Sequence, residues 1–207
     1  DLGGKKSVTR HKPIGVLAVI GPFNFPGHLP NGHIIPALLA GNCIVFKPSD
    51  QTPKVGQFLV DLFNEAGLPQ GVLNLIQGGI RPSMVLTNHP DVDGILFTGS
   101  SAVGQQLQRI LIRHPNKLIA LEMGGNNPFI VTDSSYIDET VSSIIHSAFI
   151  TSGQRCTCAR RLILTRDKNN KLLLDKLMDT VSKIKIGYPH QNKDYFLGPV
   201  ISNDAAN

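Results

Sequence analysis

Short, wholly apolar runs alternate with longer amphipathic stretches from Val16 to Gly187, and this alternation constrains the chain more than any other feature. Val16-Leu17-Ala18-Val19-Ile20 has no polar face, as expected of a strand buried on both sides. A Gly/Pro/Asn stretch, Gly21 to Gly27, ends it. Ile34, Ile35, Leu38 and Leu39 then share a helical face, with Gly41 where a C-terminal cap belongs. Ile44-Val45-Phe46 runs into Lys47-Pro48-Ser49-Asp50. The next helix repeats Val55, Phe58, Leu59, Leu62 and Phe63 at i, i+3, i+4, i+7, i+8 until Gly67-Leu68-Pro69 stops it.

The pattern continues with a strand Val72 to Ile76, a short helix Pro82 to Asn88, and a strand Ile95-Leu96-Phe97. Val103, Leu107, Ile110 and Leu111 carry the helix that follows. Leu118 to Leu121 and Pro128 to Val131 are further strands. Ser135 with Asp138 three residues on has the form of a capping box, opening a helix lined by Ile137, Val141, Ile144, Ile145, Ala148 and Phe149. Arg161 to Leu164 is a last strand. An amphipathic helix, Leu172 to Ile184, closes at Gly187.

Such alternation predicts an α/β fold: a Rossmann-like, mostly parallel sheet with helices on both faces and ligands at the carboxyl ends of the strands. The 207 residues suffice for one large domain, or for one domain and part of a second, and the chain turns more charged after Arg160, so a boundary to a second domain is expected near there. No apolar run is long enough to span a bilayer and no secretory signal opens the sequence, so the expected location is the cytoplasm. Three cysteines make no disulfide framework, and without a CxxC the seven scattered histidines argue against a metal site. The net charge of +5 suits anionic ligands. With 6% aromatics and no basic run interleaved with them, nucleic acid is not an expected partner.

The residues that follow the strands carry the chemistry. Cys156 comes just past an apolar helix, where Gly153 and Gln154 break the periodicity and Arg155, Arg160 and Arg161 surround it; nearby positive charge favours the reactive thiolate. Cys158 is an alternative nucleophile, and Cys43 lies in an apolar run that reads as core. Gly99-Ser100-Ser101-Ala102-Val103-Gly104 is close to the dinucleotide fingerprint, with Ser101 at the middle glycine, and its helix N-terminus offers N–H groups to a phosphate. Gly-rich turns of this kind also exist for the turn alone.

Lys47 can reach a phosphate or a ribose hydroxyl, or serve as an ordinary exposed lysine. Glu122 ends a buried strand before Gly124 and Gly125. It is either a base whose pKa is raised by apolar surroundings or a turn-capping carboxylate. Asn24 can aim its amide at an oxyanion, or simply suit its turn. Together, a thiol, an amide donor, a carboxylate and a phosphate cradle describe covalent oxidation of a carbonyl.

In these residues the chain resembles the aldehyde dehydrogenase superfamily. Pro22-Phe23-Asn24-Phe25-Pro26 is similar to its oxyanion loop, Phe46-Lys47-Pro48-Ser49 to its ribose-binding strand end, and Phe97-Thr98-Gly99-Ser100 through Gly104 to its cofactor turn. Glu122-Met123-Gly124-Gly125 is similar to its general-base motif and Gly153-Gln154-Arg155-Cys156 to its nucleophile motif. The resemblance implies catalysis by Cys156, Glu122 and Asn24. It implies cofactor contacts from Lys47, Ser49, Asp50, Gly99, Ser100, Ser101, Ala102, Val103 and Gly104, with NAD as the cofactor.

Asp50 stands where many members have Glu; an acid there favours NAD over its 2′-phosphorylated form. Asn126 stands where many have Lys. Pro26 to His33, Glu122 to Pro128 and Cys156 to Arg161 are similar to the branch that oxidises a succinylated glutamate semialdehyde in arginine breakdown. Arg155, Arg160 or Arg161 are candidates for holding the substrate carboxylates.

Members of the family are more than twice this length and assemble as homo-oligomers. The resemblance therefore implies an NAD-binding domain over 1–124 and the incomplete start of a catalytic domain over 125–207. The competing expectations are a dehydrogenase for another semialdehyde, a nucleotide-binding module with an inert Cys156, and acyl transfer without redox.

Overall fold

The computed structural model describes residues 3–4, 6–188, 190–191 and 194–206. The chain forms two compact units, Asp1–Met123 and Gly124–Asn207.

The first unit is a five-stranded parallel sheet in the order β3-β2-β1-β4-β5, built from β1 (Val16–Ile20), β2 (Cys43–Lys47), β3 (Leu73–Leu75), β4 (Gly94–Gly99) and β5 (Leu118–Met123). Its helices are α1 (His28–Leu39), α2 (Pro53–Glu65), α3 (Ile80–Asn88) and α4 (Ser101–Leu111). Because strand side chains alternate between faces, β1, β2, β4 and β5 each feed two cores. Leu17, Val19, Ile44, Phe46 and Leu96 pack with Ile34 and Ala37 of α1 and with Leu59 and Val60 of α2. Ala18, Ile20, Ile95 and Phe97 pack on the other face with Leu86 of α3 and with Leu107 and Leu111 of α4. That double burial explains why the strands read as continuous apolar runs.

Two helix ends follow one rule. After α1, Gly41 takes φ +89°, its N–H bonds the Leu38 carbonyl, and the Asn42 N–H bonds that of Ala37. After α2, Gly67 takes φ +86°, bonding Asn64, while Leu68 bonds Phe63. Both are Schellman motifs, in which a left-handed residue lets the last carbonyls find donors. The helix expected from Pro82 begins two residues earlier, at Ile80, because proline is tolerated in a first helical turn.

The second unit pairs β6 (Asn127–Val131) with β7 (Ala159–Leu164) in parallel, joined through α5 (Ile137–Phe149) and a 3₁₀ turn, Ile150–Gly153. It adds α6 (Asn170–Ser182) and the short α7 (Asn203–Ala206). Its core joins Val131, Val141, Ile144, Ile145 and Leu173.

Four expectations are corrected here. Ser135 forms no capping box: its hydroxyl and its N–H both go to Asp133 Oδ1, at 2.6 and 2.8 Å, and α5 starts at Ile137 without a side-chain cap. The nearer carboxylate outcompetes the helix end. Gly187 does not close α6, which ends at Ser182; it is glycine because the Tyr195 ring lies against it, where an added Cβ would fall 2.4 Å from ring carbon Cε2. Cys43 is exposed, since it begins β2 and lies beyond the helices that cover the strand. The charge increase after Arg160 marks no boundary, because β7 runs through it, pairing Arg161 with Pro128.

Candidate active site

All five strands of the first unit are parallel, so their carboxyl ends share one edge. Ile20 is in register with both Lys47 and Phe97, and Thr98 with Glu122. The residues following these strands are the candidates named above: Asn24 after β1, Lys47 to Asp50 at the end of β2, Gly99 to Gly104 after β4, and Glu122 at the end of β5. β1 lies between β2 and β4, so the chain builds the sheet outward to β3 on one side and then crosses back to β4 and β5 on the other. That is a topological switch point, where open α/β sheets form a ligand crevice.

Lys47 is not the exposed lysine that its residue type suggests; it is only 4% exposed. Its Nζ donates to the carbonyls of Pro48 at 2.6 Å and Gly78 at 2.9 Å. Burial pulls its pKa below the ordinary lysine value, and the negative charge of Asp50 opposes that pull. Ser49 Oγ accepts the Gln51 N–H at 3.3 Å. Asp50 is exposed beside Gly79, whose missing Cβ would lie 3.0 Å from Asp50 Oδ2.

The Gly99 turn combines packing with an open helix end. A Cβ on Gly99 would fall 2.5 Å from the Phe97 ring of the same strand, and one on Gly104 2.4 Å from Met123 Sδ, so Gly99 leaves room for that ring and Gly104 permits close approach of α4 to β5. Ser100 caps α4, its Oγ accepting the Val103 N–H at 3.3 Å. No acidic residue occupies the first turn, formed by Ser101, Ala102 and Val103, which leaves the positive end of the helix dipole suited to a phosphate. This combination of a glycine cradle, a capped helix end and a buried lysine at one sheet edge fits a dinucleotide.

Asn24 is half-buried, and its Oδ1 accepts the Phe25 N–H at 3.1 Å, which fixes the plane of the amide. Glu122 is exposed rather than enclosed by apolar groups, because β5 has a strand neighbour on one side only. In the sequence, His33 of α1 reads only as the end of the Pro26 to His33 run, with no role of its own. Its Nε2 lies 3.1 Å from Thr98 Oγ1, beside the strand position paired with Glu122. The signal was present: Asn31-Gly32-His33 interrupts an otherwise apolar helix.

In the second unit Cys156 is exposed, in the turn between the 3₁₀ segment and β7, whereas Cys158 is 2% exposed with its Sγ 3.7 Å from the Ile150 carbonyl. The turn is held from several directions. Asn127 Nδ2 donates to the carbonyls of Cys156 at 2.7 Å and Cys158 at 3.2 Å. Arg155 Nε donates to Thr151 Oγ1 at 2.7 Å, an Arg160 terminal nitrogen to the Gly153 carbonyl at 3.2 Å, and Arg161 Nε to the Asn126 carbonyl at 3.0 Å. Each arginine considered for the substrate thus has one donor committed to the protein, Arg155 and Arg160 within this turn and Arg161 to the residue before β6.

Thr151, Ser152 and Gly153 take φ of 58°, 56° and 69°, a left-handed run that costs about 1–2 kcal/mol at each of the two non-glycine residues. Ser152 Oγ, bonded to the Gly198 carbonyl at 2.8 Å, helps to hold it. Among the described residues no cluster of His, Cys, Asp or Glu is arranged for a metal ion, and no helix is long and apolar enough to cross a membrane.

Residues 2–207 match the aldehyde dehydrogenase family. N-succinylglutamate 5-semialdehyde dehydrogenase from Vibrio cholerae serotype O1 is 51% identical over 207 residues, covering 100% of this chain and 43% of that protein. An NADP-dependent enzyme of E. coli is similar in structure, with a TM-score of 0.86 and 38% identity over 94% of this chain and 40% of that one. The NAD-dependent aldehyde dehydrogenase of Sinorhizobium meliloti has a TM-score of 0.86 and 33% identity over 94% and 38%. The chain thus spans less than half the length of these relatives. By its motifs, its sheet and a match along nearly all its length, the chain belongs to the aldehyde dehydrogenase family.

Proposed function

We propose that this chain carries the cofactor-binding domain and the nucleophile of an NAD-dependent dehydrogenase that oxidises N-succinylglutamate 5-semialdehyde to N-succinylglutamate in arginine catabolism. In this reading 1–124 is the NAD-binding domain and 125–207 the start of the catalytic domain. The observation that carries it is the 51% identity to a dehydrogenase of that name along the whole chain, with Cys156, Glu122 and Asn24 at the motif positions.

Bound NAD would accept the hydride released from the substrate carbon. Lys47, whose ammonium has one hydrogen left over from the Pro48 and Gly78 bonds, would hold its ribose hydroxyls, and the first turn of α4 would hold its pyrophosphate. Asp50 would accept from the adenosine ribose and repel a 2′-phosphate, which would select NAD. Cys156 thiolate adds to the aldehyde carbon, and the oxyanion is held by the Asn24 amide and the Cys156 N–H. Loss of hydride leaves a thioester on Cys156. Glu122 takes a proton from the water that hydrolyses it, which frees the carboxylic acid and the thiol. The protein works in the cytoplasm as a homo-oligomer.

The test is NADH formation by a full-length protein containing this chain, with a panel of semialdehydes and both nucleotides. Preference for succinylglutamate semialdehyde with NAD is expected. Equal or better turnover of another semialdehyde, or a preference for NADP, would overturn that part of the reading.

A further inference from the structure

His33 belongs to α1, and α1 packs on the sheet face that carries Leu96 and Ala120. Side chains two residues apart along a strand share a face, so Thr98 and Glu122 point to that same side, and the two are register partners across β4 and β5. The His33 ring is half-buried, with Nε2 3.1 Å from Thr98 Oγ1. It is therefore fixed in position on the Glu122 side, and among the described residues its other ring nitrogen makes no hydrogen bond.

We propose that His33, held by Thr98 on the Glu122 face of the sheet, receives the proton that Glu122 takes from the hydrolytic water. This rests on the assignment of Glu122 as the base. The hydrolytic water gives one proton to the Glu122 carboxylate as its oxygen bonds the thioester carbon. The carboxylic acid then passes that proton to neutral His33, regenerating the carboxylate, and the imidazolium releases it to solvent. No electrons change owner in the transfer.

The surroundings suit the task. Burial pulls the imidazole pKa below its ordinary value, and the charge of Glu122 pulls it partly back. The ring is therefore neutral at physiological pH and is most basic while Glu122 is ionised. Of the elements on this face, β1 and β4 carry no titratable side chain, Lys47 on β2 bonds the Pro48 and Gly78 carbonyls, Cys43 begins β2 at the opposite end of the strand, and Lys54, Asp61 and Glu65 of α2 are exposed. On α1 itself, His28 stands at the first position and is exposed.

Two measurements test this. Imidazole titration by NMR, on the chain and on Glu122→Gln, should show the His33 pKa falling by about half a pH unit or more once the carboxylate charge is gone. An unchanged value would overturn the proposal. In a full-length protein containing the chain, His33→Gln keeps a polar end toward Thr98 and removes the titrating group. The first-turnover burst of NADH should persist, steady-state turnover should fall roughly tenfold, and the acid limb of its pH profile should flatten. Unchanged steady-state turnover with the same acid limb would reject the role of His33 alone. Absence of any aldehyde-dependent NADH formation in the unmodified protein would reject the oxidation itself, and this role with it.

Discussion

Gly56 of α2 lies directly against Pro48: a Cβ added to Gly56 would fall 2.4 Å from Pro48 Cγ and 2.5 Å from Pro48 Cβ. Pro48 is fully buried and follows Lys47, so α2 presses the end of β2 into place through a contact that only glycine permits. Gly56→Ala should gain up to about 1 kcal/mol in helix propensity and lose about 1–3 kcal/mol to overpacking. The expected net result is lower stability in urea unfolding together with weaker nucleotide binding. A variant as stable as the original, with unchanged binding, would show that the contact has slack.

Lys47 connects that contact to pH. Its pKa is lowered in the fold, so between the folded value and the ordinary lysine value the folded state holds fewer protons than the unfolded one. Stability linked to Lys47 therefore rises with pH through that window, and below it the buried charge is a standing cost. Lys47→Met should remove this alkaline rise from unfolding curves and weaken nucleotide binding by about 1.5–3 kcal/mol, the range for a hydrogen bond from a charged group. A variant that retained the alkaline rise would assign it to another group, with Lys117 the candidate, since burial lowers its pKa too.

The thiols differ in accessibility. Cys43 and Cys156 are exposed, and Cys158 is buried. Iodoacetamide at neutral pH should modify the first two and spare Cys158 until the chain unfolds, as read by peptide mass spectrometry. In a full-length protein, Cys156→Ser should abolish aldehyde oxidation and leave nucleotide binding intact, whereas Cys158→Ser should retain oxidation. Loss of oxidation in Cys158→Ser with Cys156 still reactive would reverse the assignment.

The parallel sheet was legible because strands buried on both faces leave uninterrupted apolar runs, and Gly41 and Gly67 mark helix ends by a conformation other residues resist. The strand-end residues were legible for a related reason, since polar residues directly after such runs share one edge in a parallel sheet. What the sequence concealed depends on distant partners. Thr98 finds His33 across 65 positions, and the Lys47 ammonium finds Gly78 across 31. The capping box at Ser135 misled because Asp133, two residues away, offered a closer acceptor.

The left-handed run before Cys156 makes a local prediction. Thr151 is β-branched, a poor residue for φ of 58°, and its Oγ1 accepts from Arg155 Nε. Thr151→Asn tolerates that conformation better and keeps an oxygen for the guanidinium, so stability should hold or rise by up to about 1 kcal/mol. Thr151→Val keeps the strain and removes the acceptor, and should cost about 1–3 kcal/mol. Equal midpoints for the two variants would mean that neither the strain nor the Arg155 bond contributes.

Asn127 makes the strongest claim about the turn that carries Cys156. One amide nitrogen at the start of β6 donates to the carbonyls on both sides of Thr157, those of Cys156 and Cys158. Asn127→Ala removes both donors, at about 1 kcal/mol for each net hydrogen bond, and should accelerate hydrogen exchange in the turn before it alters the helices. Asn127→Asp should be worse than alanine. It sets a carboxylate against two carbonyl oxygens, adding repulsion to lost donors, and its negative charge disfavours the Cys156 thiolate. Alkylation of Cys156 should therefore slow in Asn127→Asp below its rate in Asn127→Ala. If alanine slows alkylation as much as aspartate does, Asn127 acts on the thiol through position alone and its charge environment contributes nothing.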